Sequence, residues 1–176
     1  MRSVHKSILN TAQGIDPPPK TLLDVGCGDG SFTRVLSHSL PVTFITALDR
    51  AKPKYFSTST MGSFIPGSVD DLPFENNSFD AVTVSLSLHH WEDKEKGILE
   101  INRVLKSGGS LIIGDPLLQG WLANPFLGRL AQSIDRGSFA ATHELQMILE
   151  NAGFIRIQIN EIPNSFKSVF LITAIK

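Results

Sequence analysis

The sequence predicts an open, doubly wound α/β sheet with a ligand cleft at the carboxyl ends of its strands. Three observations carry that expectation. Short apolar runs alternate with amphipathic stretches along the chain. The first apolar run, Leu22 to Val25, breaks into the glycine turn Gly26-Cys27-Gly28-Asp29-Gly30. Roughly twenty residues beyond that turn, the spacing of a nucleoside site, Asp49 ends the next apolar run.

The elements follow in order. Residues 1–20 read as a short helix and a linker that ends in Pro17-Pro18-Pro19. Thr21–Val25 is a buried strand. Ser31–Ser39 is a helix with Phe32, Val35 and Leu36 on one face. Val42–Leu48 is the second strand and Phe64-Ile65 a short third. Between them, Arg50 to Thr60 is polar and interrupted by Pro53, which opposes a regular helix. Ala81–Ser85 is continuously apolar or β-branched, the pattern of a central parallel strand. Asp93–Lys106 is a helix with Ile98, Ile101, Val104 and Leu105 inward, and Gly108 is its expected stop. Ser110–Gly114 is the fifth strand. Gln119–Asp135 reads as an irregular helix. Thr142 can cap a helix over Glu144–Asn151, which Gly153 ends. Phe154–Ile159 and Val169–Ile175 are a final pair of strands.

Composition narrows the function classes. A chain of 176 residues, 41% hydrophobic and 19% charged, suits one soluble domain, residues 1–176, with a sizeable core. A net charge of −1 provides no broad basic field, so no nucleic-acid partner is expected. The single Cys27 supports neither a disulfide framework nor a multi-cysteine zinc site, and the histidines have no metal-ligand spacing; no metal is expected. No apolar run reaches membrane-spanning length, and residues 1–20 lack a signal core. The expectation is a cytoplasmic enzyme without membrane contact.

The glycine turn decides the ligand class. Without a Cβ, Gly26, Gly28 and Gly30 let a ligand approach the backbone and permit left-handed dihedrals. The helix start beyond them offers unpaired N–H groups. A dinucleotide fingerprint, G-x-G-x-x-G, puts its third glycine where this chain has Ser31. Asp24 and Asp29 would repel a diphosphate but accommodate an amino group and a sulfonium.

At this point the run Leu22-Leu23-Asp24-Val25-Gly26-Cys27-Gly28-Asp29-Gly30 resembles the first motif of the class I S-adenosylmethionine-dependent methyltransferases. Gly67-Ser68-Val69-Asp70-Asp71-Leu72-Pro73-Phe74 resembles the segment after their third strand. Glu100 to Gly109 resembles their helix and turn before the fifth strand, and Glu144 to Phe154 the helix before the sixth. The likeness is to the small-molecule, "type 11" members. It implies a Rossmann-like, mostly parallel seven-stranded sheet with an antiparallel final strand. It also implies S-adenosyl-L-methionine as cofactor, S-adenosyl-L-homocysteine as product and a small-molecule acceptor.

Each candidate site residue carries two readings. Asp24 either bonds turn N–H groups or, by resemblance, helps to position the methionine amino group. Asp49 is either a strand-end acid or a bidentate acceptor for the ribose hydroxyls. Cys27 packs under the turn; a nucleophile reading finds no paired base. Arg50 stacks on the adenine or belongs to a solvated basic loop with Lys52 and Lys54. Ser68 stands where the family often has an acid for the adenine amino group, and Val69 offers a backbone N–H to the ring. Asp70 or Asp71 is a candidate to compensate for the missing charge. Ser85 and Leu86 are expected to line the methionine portion.

His89 and His90 follow the fourth strand, at the rim where the methyl group would point. Either is a candidate general base, and the plainer alternative is that His89 bonds the backbone while His90 packs beside Trp91. Residues 116–141, rich in leucine and phenylalanine, are expected to form a lid over an apolar acceptor or a homodimer contact. The reaction expected is in-line methyl transfer to a small molecule. A second class stays open: a cofactor-binding relative without transferase activity, serving as a regulatory or assembly partner. Ser68 and the irregular stretch after Asp49 favour it. A nicotinamide-nucleotide binder is opposed by Ser31.

Overall fold

The computed structural model describes residues 3–42, 44–54, 62–116, 142–162 and 169–176. Their elements are helix α1 (Ser3–Gln13), strand β1 (Thr21–Val25), helix α2 (Ser31–Ser39), strands β2 (Phe44–Asp49), β3 (Ser63–Pro66) and β4 (Phe79–Ser85), and a 3₁₀ turn at Leu88–His90. Helix α3 (Lys94–Val104), strand β5 (Leu105–Pro116), helix α4 (Thr142–Asn151) and strands β6 (Ile155–Ile162) and β7 (Val169–Ile175) follow.

The strands form one seven-stranded sheet in the order β3-β2-β1-β4-β5-β7-β6. β1 pairs in parallel with both β2 and β4, β2 with β3, and β4 with β5. β7 runs antiparallel to β5 and β6, as expected for the final strand. Strand order reverses between β1 and β4, so their carboxyl ends flank the crevice where open α/β sheets bind ligands.

Each face of the sheet has its own core. On one face, Val4, Ile8, Leu9 and Ala12 of α1 and Phe32 and Leu36 of α2 pack on Leu22, Ile45, Ala81 and Ile112. Gly114 lets α1 settle there, because a Cβ would lie 2.8 Å from Ile8 Cδ1. On the other face, Ile98, Ile101 and Val104 of α3 and Leu145 and Leu149 of α4 cover Leu23, Val82, Val84, Leu111 and Ile113. Burying both faces explains why β4 and β5 read as continuous apolar runs rather than alternating ones.

Several boundaries differ from the sequence expectation. β2 runs to Asp49, so the acid is the last residue of its strand. β3 spans Ser63–Pro66 rather than two residues. Gly108 does not stop α3: the helix ends at Val104, and β5 begins at Leu105. Gly108 takes φ +77° where β5 bulges between its pairings with Phe79 and Ala81, and its N–H donates to the Lys176 carbonyl. Thr142 is the first residue of α4 rather than a cap before it. The irregular helix expected over Gln119–Asp135 and residues 117–141 of the expected lid lie outside the described residues. So do residues 55–61 of the polar stretch, while 50–54 are non-helical, as Pro53 requires.

Candidate active site

The glycine turn is shaped by what presses on it. The Gly26 and Cys27 N–H groups both donate to the Leu48 carbonyl, at 2.8 and 3.1 Å, tying the turn to β2. Gly26 has φ +71°, and a Cβ there would collide with Ser87 Oγ. Glycine is therefore required twice, by the dihedral and by the neighbour. Gly30 adopts φ +80° and is the residue from which α2 starts. Asp29 Oδ1 accepts the Ser31 N–H, at 2.9 Å, which satisfies one donor of the helix start.

Two hollows meet at Gly26. The first, about 190 Å³, is walled by Leu48 and Asp49 of β2 and Arg50 just beyond it, by Gly67, Ser68 and Val69 after β3, and by Ser87, His90 and Trp91 after β4. The second, about 240 Å³, is walled by Asp24, Cys27 and Gly28, by Ser31 and Phe32 of α2, by Ser85 and Leu86, and by His5 of α1. The residues singled out in the sequence thus divide between two connected halves. Asp49, Arg50, Ser68 and Val69 fall in one, and Asp24, Cys27, Gly28, Ser85 and Leu86 in the other.

Asp24 does not bond the turn N–H groups. Its carboxylate accepts from Thr33 Oγ1 at 2.6 Å and from Thr83 Oγ1 at 3.0 Å. Burial pushes its pKa up to about 6, against the two hydroxyl bonds and with help from the Asp49 charge. Asp49 Oδ2 accepts the Gly28 N–H at 2.9 Å, and Oδ1 the Ala51 N–H at 3.1 Å, so strand and turn hold it at the cleft. Burial, then Asp24 and Asp49, push the Cys27 thiol up to about 12. It is a neutral thiol at pH 7, and the nucleophile reading fails on that ground.

Arg50 is well exposed at the rim. One nitrogen lies 3.9 Å from Asp70 Oδ2 and another 3.9 Å from Glu92 Oε1. Ser68 Oγ donates to Asp70 Oδ2 at 3.1 Å. Val69 is buried. Among the described residues, Asp70 Oδ1 and Ser85 Oγ are buried polar atoms with no hydrogen-bond partner.

The adjacent histidine rings lie 3.9 Å apart, centroid to centroid, but their other neighbours differ. His90 lines the same half of the cleft as Trp91. His89 does not bond the backbone through Nδ1: that atom lies 2.7 Å from Asp115 Oδ1, at the end of β5. Asp115 is 1% exposed, and its other oxygen accepts the Leu88 N–H at 2.9 Å. Because the carboxylate only accepts, Nδ1 of His89 is the donor in this contact.

Sequence reasoning missed Asp115, Ser87 and Thr83. Trp91 Nε1 donates to Ser87 Oγ at 3.1 Å, which holds Ser87 against Gly26. No local signal marks Asp115, which lies 26 positions from His89, on another element.

Residues 23–113 match the family described as a methyltransferase domain. That span exceeds half of the chain, and the chain belongs to this family of S-adenosyl-L-methionine-dependent transferases. The O-methyltransferase rstn1 of Aspergillus nomiae is 31% identical over 153 residues, covering 82% of this chain and 68% of that protein. The demethylmenaquinone methyltransferase of Staphylococcus aureus is 29% identical over 178 aligned positions, covering 85% and 73%. Against other curated relatives the chain spans less, down to 36% of an uncharacterized chloroplastic methyltransferase of Arabidopsis thaliana. Among solved structures, YcgJ of Bacillus subtilis shares the fold at a TM-score of 0.81, with 18% identity over 98% of this chain and 97% of that one. Phosphoethanolamine N-methyltransferase 2 of Haemonchus contortus, solved with S-adenosyl-L-methionine, does so at 0.80, with 16% identity over 98% and 52%.

Proposed function

We propose that this chain methylates a hydroxyl group of a small molecule, with His89 as the proton acceptor. The observation that carries the reading is the 2.7 Å contact between His89 Nδ1 and the buried carboxylate of Asp115, at the carboxyl edge of β4 and β5.

The cleft suits the cofactor. Asp49 is held by two backbone N–H groups, and its carboxylate has acceptor capacity left for the ribose hydroxyls. Leu48, Val69 and Trp91 give apolar walls for a purine, with Ser68 and the Val69 N–H at its edge and Arg50 at the rim. Asp24 and the unpartnered Ser85 Oγ suit the polar amino-acid end, beside Cys27, Gly28 and Leu86. When bound, the cofactor supplies an electrophilic methyl group on a sulfonium. The chain then has to align the acceptor oxygen and take its proton. Asp115 fixes the His89 tautomer, so that Nε2 can receive that proton. Two matched relatives, from Aspergillus nomiae and Aspergillus sclerotiorum, are named O-methyltransferases, which agrees with an oxygen acceptor.

Residues 1–176 act in this reading as one cytoplasmic transferase domain, with residues 116–141 as acceptor lid or homodimer contact. No helix among the described residues is long and apolar enough to cross a membrane. A second reading has support of its own. Asp115 also holds the Leu88 N–H, so the His89 contact would serve as a brace for the 3₁₀ turn.

Methyl transfer to a panel of phenols and catechols, read as S-adenosylhomocysteine release, separates the two. His89→Ala should lower turnover about 100-fold or more at pH 7. The deficit should shrink above the phenol's own pKa, where the acceptor ionises unaided. Cofactor affinity should change less than about threefold. Wild-type turnover in His89→Ala would leave only the brace. Cofactor binding without turnover on any acceptor would favour the relative that binds but does not transfer.

A further inference from the structure

His89 lies against a buried carboxylate, and such a pair does not by itself leave the imidazole free to take a proton. Taking the proton-acceptor reading of His89 as given, we infer that Lys94 is a positioning residue for the reaction. Its ammonium answers the Asp115 charge, so that His89 stays neutral and ready to accept.

The difficulty is one of charge. Asp115 is 1% exposed, and a buried carboxylate is costly unless a positive group compensates it. Its two oxygens meet the Leu88 N–H at 2.9 Å and His89 Nδ1 at 2.7 Å. If His89 were the only group able to supply a positive charge, Asp115 would favour its imidazolium form. An imidazolium donates from both nitrogens and has no lone pair with which to receive a proton.

Lys94 supplies a second cation. It is the first residue of α3 and is half-buried. Its Nζ donates to the Trp91 carbonyl at 3.4 Å, just past the far end of the 3₁₀ turn whose Leu88 N–H Asp115 accepts. The turn that carries His89 is thus held by a carboxylate at its amino end and by an ammonium at its carbonyl end. Burial pushes the Lys94 ammonium below the ordinary lysine range, and the Glu144 and Asp115 charges oppose that shift. Both carboxylates therefore favour the charged lysine. Among the described residues, the groups around the pair are Lys94 from α3, Glu144 from the first turn of α4 and the His90 ring, 3.9 Å from that of His89.

Ring NMR of His89 in the free protein, assigned against His89→Ala and followed with pH, reads its protonation without turnover. Lys94→Met keeps the apolar stem and removes the charge. It should move the midpoint of the His89 titration to higher pH by about half a unit or more. Lys94→Arg should restore the wild-type midpoint. Glu144→Gln removes the opposing charge and should move the midpoint to lower pH, by less because Glu144 is exposed.

Turnover of a catechol acceptor should follow. Lys94→Met should lose about threefold or more near pH 6 and recover toward the wild type as pH rises, with the KM for the cofactor within about twofold. A lysine that only braced the turn would lower turnover equally at every pH. Thermal melting verifies folding. An unmoved His89 titration in folded Lys94→Met would overturn the inference. A moved titration that turnover does not follow would overturn the proton-acceptor reading beneath it, a result distinguishable from the first.

Discussion

Asp24 shows how much one residue can carry. It is a carboxylate 1% exposed, at the end of the first strand, between two threonine hydroxyls. With its pKa raised by burial to about 6, the folded chain holds that proton where the unfolded chain, near 3.8, has lost it. Stability should therefore fall as pH rises from about 4 to about 6, by about 3 kcal/mol for a shift of this size. Asp24→Asn should flatten that part of the profile. Urea unfolding of both proteins at pH 4 and pH 7 tests it, and an identical pH slope in the variant would contradict it. The sequence marked Asp24 by its place before the glycine turn. It did not mark Thr33 or Thr83, because both are ordinary helix and strand residues until the fold brings them to the acid. The same holds for Asp115, whose neighbours in sequence reveal nothing of His89.

At the scale of the elements, β1, the turn and α2 were legible because glycines and an apolar run act locally. The corrections lie where local signals compete with the sheet. Gly108 looked like a helix stop, since glycine commonly takes left-handed dihedrals there. The positive φ is real, but β5 uses it for a bulge tied to the chain end at Lys176. That bulge lies beside a junction the sequence did not announce. Asp80 on β4 accepts from the Lys20 and Thr21 N–H groups, Thr21 Oγ1 and Lys106 Nζ. Burial alone would raise its pKa; Lys106 and these donors outweigh it and hold it down at about 2. The junction should stabilise the fold above the ordinary aspartate range and lose that contribution as pH falls from about 4 to about 2. Asp80→Ala should cost about 1–3 kcal/mol in urea unfolding at pH 7 and leave cofactor affinity unchanged, since the site lies at the opposite end of the strands. A loss of affinity without a loss of stability would contradict that assignment.

At the scale of the molecule, the sheet order places the ends of β1 and β4 on either side of one crevice, with β2 and β5 outside them. The glycine turn, Asp49, the Ser68–Asp70 turn and the histidine turn all converge there because the topology reverses at that point. The sequence marked the residues proposed to hold the cofactor, because they come in contiguous motifs. It disclosed less of the chemistry half, which depends on contacts between β5 and the turn after β4. In the proposed function, this crevice binds S-adenosyl-L-methionine through Asp49. Calorimetric titration of the wild type and Asp49→Ala with the cofactor tests it most directly. Wild-type binding in the micromolar range, about −8 kcal/mol, with a loss of tenfold or more in Asp49→Ala, is the predicted result. No binding by the folded wild type, or equal affinity in the two proteins, would contradict it.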